Sequence, residues 1–378
     1  MKILQIHNFK KITGGEDVIL NLEKKMLIKN GHEVKQLNRY NLDEIKNVKD
    51  ITHTLINLSY SKKSLKILEK EIQNYIPDIV HIHDLFPLWT YSVIDFYKKR
   101  NIPIIMSLHN FRSILSELNF FDKNFFKYGF FKNSKILSFI ISKIFNKNKK
   151  LFFQIDKFIV FTNFSKQQFL NIGIPEKKII IKPHSLENIE VNSKDYKNKK
   201  NQAIYAGLIS NEKGILTLIK AWQNIDIKLN IYGDGPLLNK LIKKNKFPNK
   251  IIFHKRKDIK YVEHQILTSK ILIFPSECYE TMGMSMLQAF RNKTLVIASN
   301  HGTMSSVIKN KYNGILFKTG CFKDLYSKII WAINHDNERE IIVNNAFKEF
   351  NINYSEDQNY RKLLSAYNRT ISEKINEL

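Results

Sequence analysis

Short apolar runs alternate with amphipathic stretches of helical spacing along nearly the whole chain, the pattern of a parallel sheet wrapped by helices. In the first half the strand candidates are Lys2–His7, Glu33–Gln36, Ile79–His81, Ile104–Leu108, Lys157–Phe161 and Ile179–Ile181. A fresh series follows at Gln202–Ala206, Lys228–Tyr232, Ile251–Phe253, Ile271–Phe274, Leu295–Ala298 and Gly314–Phe317. Two doubly wound α/β domains in tandem are predicted. Their linker is expected near Lys182-Pro183-His184-Ser185 and the Lys/Asn-rich stretch Asn192–Asn201, which has little apolar surface to bury. The expected division is residues 1–184, residues 185–345, and a helical segment 346–378 that crosses back to the first domain. Residues 119–153 depart from this rhythm and interleave Phe, Ile and Lys.

At 378 residues the chain exceeds the size at which a single core keeps growing, and its 43% hydrophobic content supplies two cores. The opening MKILQIHNF reads as a buried strand and not as a charged region followed by a long apolar one, so no signal peptide is expected. No uncharged apolar run approaches the roughly 18–20 residues that span a bilayer, and a cytoplasmic protein is expected. Cys278 and Cys321 are too few and too unpatterned for a disulfide framework or a zinc site.

Polar residues suited to chemistry gather where predicted strands end. After Ile271–Phe274, Pro275-Ser276 leads through a short loop to Glu280 and then to a helix carrying Gln288. An acidic side chain and free helix N-terminal amides thus stand at the carboxyl end of a strand, where open α/β sheets bind anions. After the first strand, His7-Asn8 and Gly14-Gly15-Glu16-Asp17 precede a helix from Val18 to Lys29. Paired glycines let backbone approach a ligand closely, although such a pair alone is usually just a turn. The third and fourth strands lead into His83 and into His109 and Arg112. A lone histidine at a strand end is more often a structural hydrogen-bonder than a catalytic group, and strand ends offer no fixed spacing for metal ligands.

In combination these stretches resemble the retaining glycosyltransferases of family 4, also called group 1. Pro275-Ser276 through Glu280 to Gln288 is similar to the family pattern Pro-Ser-x-x-x-Glu, seven residues, Glu-Ala, with Gln at the second acidic position. HNFKKITGGEDVILNLEKKMLIKNGHEV resembles the opening of one subgroup, and Ser107-Leu108-His109-Asn110-Phe111-Arg112 resembles the Leu-His-Asp/Asn motif. Gly207 to Gly214 resembles Gly-Arg-Leu-x-x-x-Lys-Gly, with Leu208 at the Arg position and Lys213 at the Lys. Gly233-Asp234-Gly235-Pro236 resembles Gly-x-Gly-Pro, and Gly302 to Ser306 resembles Gly-Gly-x-x-Glu with Thr303 and Ser306 substituted. The likeness covers about residues 1–345, and its departures all fall on the donor side.

The resemblance implies a GT-B type fold of two Rossmann-like doubly wound domains facing across a cleft. It implies a nucleotide-diphosphate sugar donor on the second domain, a glycan or lipid-linked glycan acceptor on the first, retention of configuration, no metal and no cofactor. The pathway implied is cell-envelope polysaccharide, capsule or lipopolysaccharide synthesis. Glu280 would hold sugar hydroxyls, His109 the far side of the sugar, Lys213 and the Gly14-Gly15 loop the diphosphate, and Gln288 the ribose. Gly207, Gly233, Met282, Gly283 and Met284 complete the implied donor site, with His83, Arg112, Glu16 and Asp17 at the acceptor-side rim. Losing the Arg removes a charge-assisted bond of about 2–4 kcal/mol, and Gln for Glu about 1–2 kcal/mol. An active transferase, a catalytically degenerate subunit or regulator, and a polyanion- or lipid-binding protein without chemistry therefore remain distinct readings.

The net charge of +26 arises from 61 basic against 35 acidic residues. It fits attraction to an anionic membrane surface, and equally a compositional origin, because only 8 of the basic residues are Arg while Lys, Asn and Ile abound. Nucleic acid is disfavoured as a partner, since no helix-turn-helix, zinc or RNA-recognition signature accompanies the charge. The basic aromatic stretch 119–153 suits a membrane interface, or an amphipathic helical pair packed on the domain core. In the first case, changing Lys132, Lys135, Lys143 and Lys147 together to Gln releases the protein from anionic vesicles in a low-salt flotation assay. Wild-type protein that ignores such vesicles assigns the charge to composition.

Overall fold

The computed structural model describes residues 1–10, 14–111, 143, 147–187 and 199–377. The described residues fall into two compact units, one of residues 1–10, 14–111, 143, 147–184 and 356–377 and the other of residues 185–187 and 199–355. In the first, β1 (Lys2–Phe9), β2 (Glu33–Tyr40), β3 (Ile79–Ile82), β4 (Ile104–Ser107), β5 (Lys157–Val160) and β6 (Ile179–Ile181) form one sheet in the order β2-β1-β3-β4-β5-β6. In the second, β7 (Lys200–Ala206), β8 (Lys228–Tyr232), β9 (Ile251–Phe253), β10 (Ser269–Phe274), β11 (Leu295–Ser299) and β12 (Ile315–Phe317) lie in the order β12-β11-β10-β7-β8-β9. Every pairing in both sheets is parallel.

Each of the twelve predicted strands is present, with shifts at the ends. β2 continues to Tyr40 because the ladder with β1 extends to Phe9, pairing His7 with Asn38 and Phe9 with Tyr40. Polar Asn38 and Arg39 hide this extension in the sequence. Arg39 is nevertheless buried, donating to Glu44 Oε1 at 2.7 Å, to Ser64 Oγ at 2.9 Å and to the Leu88 carbonyl. β3, β4 and β5 bury every residue, as strands covered on both faces must.

Strand order reverses once in each sheet. From β1 the chain steps outward to β2 and then returns to the other side of β1 as β3; from β7 it runs outward through β8 and β9 and returns beside β7 as β10. At such reversals successive crossovers leave in opposite directions and open a crevice at the carboxyl ends of the two central strands. Residues following β1 and β3, and those following β7 and β10, are therefore the ones the topology brings to ligand-binding positions.

The helix Asp336–Asn353 belongs to the second unit, whereas Glu356–Ile375 packs in the first, against the helix Gly15–Lys29 and β4. It buries Leu363, Ala366 and Tyr367. The Tyr367 hydroxyl lies 2.7 Å from Nδ1 of His81, a fully buried residue in the middle of β3, whose Nε2 lies 2.8 Å from Ser107 Oγ. Among the described residues no helix is long and apolar enough to cross a membrane. Of the stretch 119–153, only Lys143 and residues 147–153 are among the described residues.

Replacing Tyr367 by Phe keeps the ring and deletes the hydroxyl that satisfies His81. An unsatisfied buried polar group costs about 1–3 kcal/mol, so Tyr367→Phe is expected to lower stability by that amount in a urea titration of unfolding.

Candidate functional site

In the second unit the site is built by two loops, those following β7 and β10, which touch through backbone. Gly214 has φ 68°, and a Cβ there would lie 1.8 Å from the Pro275 carbonyl oxygen, so only glycine permits this approach. The carbonyl of Glu212 accepts from the amides of Glu277 and Cys278 at 2.9 and 3.1 Å, which locks the loops in register. Lys213 and Glu280 are thereby brought together, with Nζ 2.5 Å from Oε1. Ser276 Oγ donates to the same carboxylate oxygen at 2.7 Å, and His301 Nε2 donates to the Ser276 carbonyl at 2.9 Å.

The pair is partly open, with 27% of the Lys213 side chain and 15% of the Glu280 side chain exposed, so a solute can reach both. Burial disfavours the ammonium of Lys213, and the adjacent Glu280 carboxylate outweighs that cost and holds its pKa above the ordinary lysine value. The neighbouring Cys278 thiol is pushed up to about 11, chiefly by burial, which keeps it protonated and unreactive.

The other residues expected on the donor side lie in the same unit. Gly233 has φ 146°, and a Cβ there would meet the Gly207 carbonyl at 1.9 Å, so the turns after β7 and β8 pack backbone to backbone. Gly283 caps the helix Met284–Arg291, and a Cβ on it would stand 3.0 Å from the Phe274 ring. Met282 and Gln288 are buried, and Met284, four residues before Gln288 on that helix, is half-buried. Thr303, where the family pattern has glycine, donates its hydroxyl to the main-chain oxygen of Glu280 at 2.5 Å. Leu208 is half-buried beside Gly207.

In the first unit, His7, His83 and His109 stand at or just past the carboxyl ends of β1, β3 and β4. His7 Nε2 donates to Asp17 Oδ1 at 2.7 Å, and Asp17 Oδ2 accepts from the Gly14 amide at 2.6 Å. Asp17 is thus buried and engaged in holding the start of the helix Gly15–Lys29 against β1, while Gly14 and Gly15 are exposed. Glu16 pairs with Lys10, which also lies 3.0 Å from Asp84. His83 Nδ1 lies 3.0 Å from His109 Nε2, and His109 stacks on His184 with ring centroids 5.5 Å apart. His83 is buried and His109 half-buried, and both line a cavity of about 40 Å³ with Asp84, Tyr91, Asn110 and Phe152. Arg112 lies outside the described residues.

Sequence reasoning missed the charges beneath this cluster. Glu23 and Lys182 form a buried ion pair, and Lys182 donates also to Asn359 Oδ1 at 3.2 Å. Glu23 carried a usable signal: it sits in the apolar stripe Ile19, Leu20, Met26, Leu27, where a charge requires a buried partner. Lys182 and His184 fell in the segment expected as a linker, yet both are buried in the first unit.

Two family models match in succession: Glycosyltransferase Family 4 over residues 12–185 and Glycosyl transferases group 1 over residues 187–349. The chain belongs to the family 4, group 1 glycosyltransferases. An uncharacterized glycosyltransferase of Methanocaldococcus jannaschii, MJ1178, is 26% identical to this transferase over 365 residues, 94% of each chain. Among solved structures, sucrose-phosphate synthase from Thermosynechococcus elongatus superposes with a TM-score of 0.77 at 13% identity, covering 98% of this chain and 99% of its own. HepE of Anabaena, solved with UDP and with UDP-glucose, matches over the full length of both chains at 14% identity, with TM-scores of 0.67 and 0.66. The lipopolysaccharide outer core galactosyltransferase WaaB matches with a TM-score of 0.62 at 17% identity, over 97% of this chain and 99% of its own. The fold is thus of GT-B type, with two parallel six-stranded sheets.

The transferase's clustered histidines have a consequence for pH. His81, His83, His109 and His184 have pKa values pushed well below 6.5, first by burial, then at His81 and His184 by the Lys182 charge and at His83 and His109 by neighbouring histidines ahead of Lys182. Below pH 6.5 the unfolded chain binds protons that the folded chain refuses, so stability falls as pH drops and is level above that value. Each histidine contributes a slope of about 1.4 kcal/mol per pH unit. Urea midpoints are therefore expected to decline steeply from pH 6.5 to pH 5, and less steeply in His184→Phe, which removes one titrating ring.

Proposed function

We propose that this transferase moves a sugar from a nucleotide-diphosphate sugar to a glycan or lipid-linked glycan acceptor, with retention of configuration and without a metal cofactor. The observation that carries the reading is the Lys213–Glu280 pair, steadied by Ser276, at the β7/β10 crevice where the topology favours an anionic ligand. Before the donor arrives, the Glu280 carboxylate keeps Lys213 ionised and each side chain aims the other. With the donor bound, Lys213 meets the diphosphate together with the amides opening the helix Met284–Arg291, and Glu280 accepts hydrogen bonds from sugar hydroxyls.

In the second unit, Gln288 accepts from the ribose; for the first unit, the roles proposed are sugar contact for His109 and diphosphate contact for the Gly14-Gly15 turn. The bond between the anomeric carbon and the diphosphate breaks, the acceptor oxygen bonds that carbon on the same face, and a diphosphate oxygen takes the acceptor's proton. Stabilising the departing negative charge is then the main catalytic task, one that a lysine and fixed amide dipoles perform in a partly dry site. HepE's complexes with UDP and UDP-glucose make uridine diphosphate sugars the first donors to try, and WaaB supports an envelope glycan as acceptor. The enzyme would work in the cytoplasm beside the membrane that holds such an acceptor.

A thermal-shift panel of UDP, GDP, ADP and their sugars tests donor binding, since a ligand at 100 times its Kd adds about 2.7 kcal/mol of stability. With the donor so identified, Glu280→Gln is expected to lower turnover about 100-fold, a loss near 3 kcal/mol, and EDTA is expected to leave turnover unchanged. Near-normal turnover in Glu280→Gln would remove that carboxylate from the mechanism.

A further inference from the structure

We infer that Glu23 decides which nitrogens of His83 and His109 carry hydrogen, and so makes Nδ1 of His109 a hydrogen-bond acceptor. Glu23 lies on the inner face of the helix Gly15–Lys29, 4% exposed, and its Oε1 takes the ammonium of the fully buried Lys182. An ammonium can only donate, so Oε1 must accept and this contact fixes the orientation of the carboxylate. The other oxygen, Oε2, takes no hydrogen bond among the described residues and points at His83, 3.6 Å from its Nε2.

That distance is too long for a hydrogen bond but short enough for charge to choose between two ring forms. A neutral imidazole has one N–H and one lone pair. Were the lone pair on Nε2, it would face a carboxylate oxygen in a dry interior; with hydrogen there, the contact is attractive. His83 therefore carries hydrogen on Nε2 and presents a lone pair at Nδ1. Among the described residues, the group hydrogen-bonded at that lone pair, at 3.0 Å, is Nε2 of His109, which must then donate. His109, with its one hydrogen spent on His83, is left with a lone pair on Nδ1.

His81 does not override this. Its Nδ1 is 3.8 Å from the same Glu23 oxygen, but both its nitrogens lie beside hydroxyls, Tyr367 at 2.7 Å and Ser107 at 2.8 Å, which turn to suit either form. Glu23, His81 and His83 also place three potential ligand atoms within 4.8 Å of one another. A cation there would share the carboxylate with the Lys182 ammonium and add buried positive charge beside it, so the geometry favours the hydrogen-bond chain. Resting on the proposed function, the consequence is that His109 accepts from a sugar hydroxyl, and Glu23 is a positioning residue that acts through His83.

Glu23→Gln inverts the chain. Lys182 keeps the amide oxygen, the amide NH₂ turns to His83 Nε2, His83 donates from Nδ1 to His109 Nε2, and His109 becomes a donor at Nδ1. Long-range proton–nitrogen NMR of protein labelled with ¹⁵N-histidine reads each tautomer directly, with assignments from His83→Gln and His109→Gln. Hydrogen on Nε2 of both rings in the wild type, and on Nδ1 of both in Glu23→Gln, is the expected result. Wild-type rings with hydrogen on Nδ1 overturn the inference, as does a folded Glu23→Gln that leaves both tautomers unchanged. So does stoichiometric metal in the purified protein whose removal by chelator shifts the His83 resonances. Should Glu23→Gln not fold, the wild-type spectrum decides alone. No substrate enters the measurement, so failure to find a donor would count against the proposed function and leave this result standing.

Discussion

Each strand of the two sheets runs parallel to its neighbours, so every connection must cross back over a face and every loop leaving a strand emerges at the same edge. Within each unit this gathers residues that are far apart in sequence. Lys213 and Glu280 are separated by three intervening strands in the chain yet meet at 2.5 Å, because β7 and β10 are neighbours. His83 and His109 meet for the same reason at the ends of β3 and β4. Neither unit could form its cluster if one of these strands were reversed.

Both clusters rest on a lysine–glutamate pair withdrawn from water to different degrees. The Lys213–Glu280 pair is partly open, so its charges remain available to a ligand. Glu23 and Lys182 are closed in, and there the pair can act only on what surrounds it. Desolvating such a pair costs several kcal/mol that mutual attraction repays only with good geometry. In the first unit that geometry comes from Asn359, which accepts from Lys182 and donates to the Pro183 carbonyl at 2.6 Å.

The strands and the doubly wound class were legible because short apolar runs such as Ile271–Phe274 and Ile179–Ile181 have few other ways to bury themselves. The residues of the β7/β10 crevice were legible through motif spacing, since Gly214 and Glu280 answer to steric and electrostatic needs that local sequence expresses. What sequence concealed was polar residues whose partners lie on other elements. Arg39 lies beyond the predicted strand Glu33–Gln36 and is an interior hub; Glu23, which no motif singled out, pairs with Lys182 from a distant element. Thr303 read as a departure from a glycine pattern, and its hydroxyl instead holds the main chain of Glu280. Pair partners set by tertiary structure leave no periodic mark.

The assignment of the helix Glu356–Ile375 to the first unit bears on how the protein is made. A ribosome delivers residues 1–184 first, but these lack Tyr367, Asn359 and Leu363 until all of residues 185–355 have followed. The described residues of the second unit all precede residue 356, so that unit can finish folding while the first still waits with His81 and Lys182 short of partners. During synthesis the order of completion is thus the reverse of the order of emergence, and the unit begun first is the one exposed longest to chaperones and proteases.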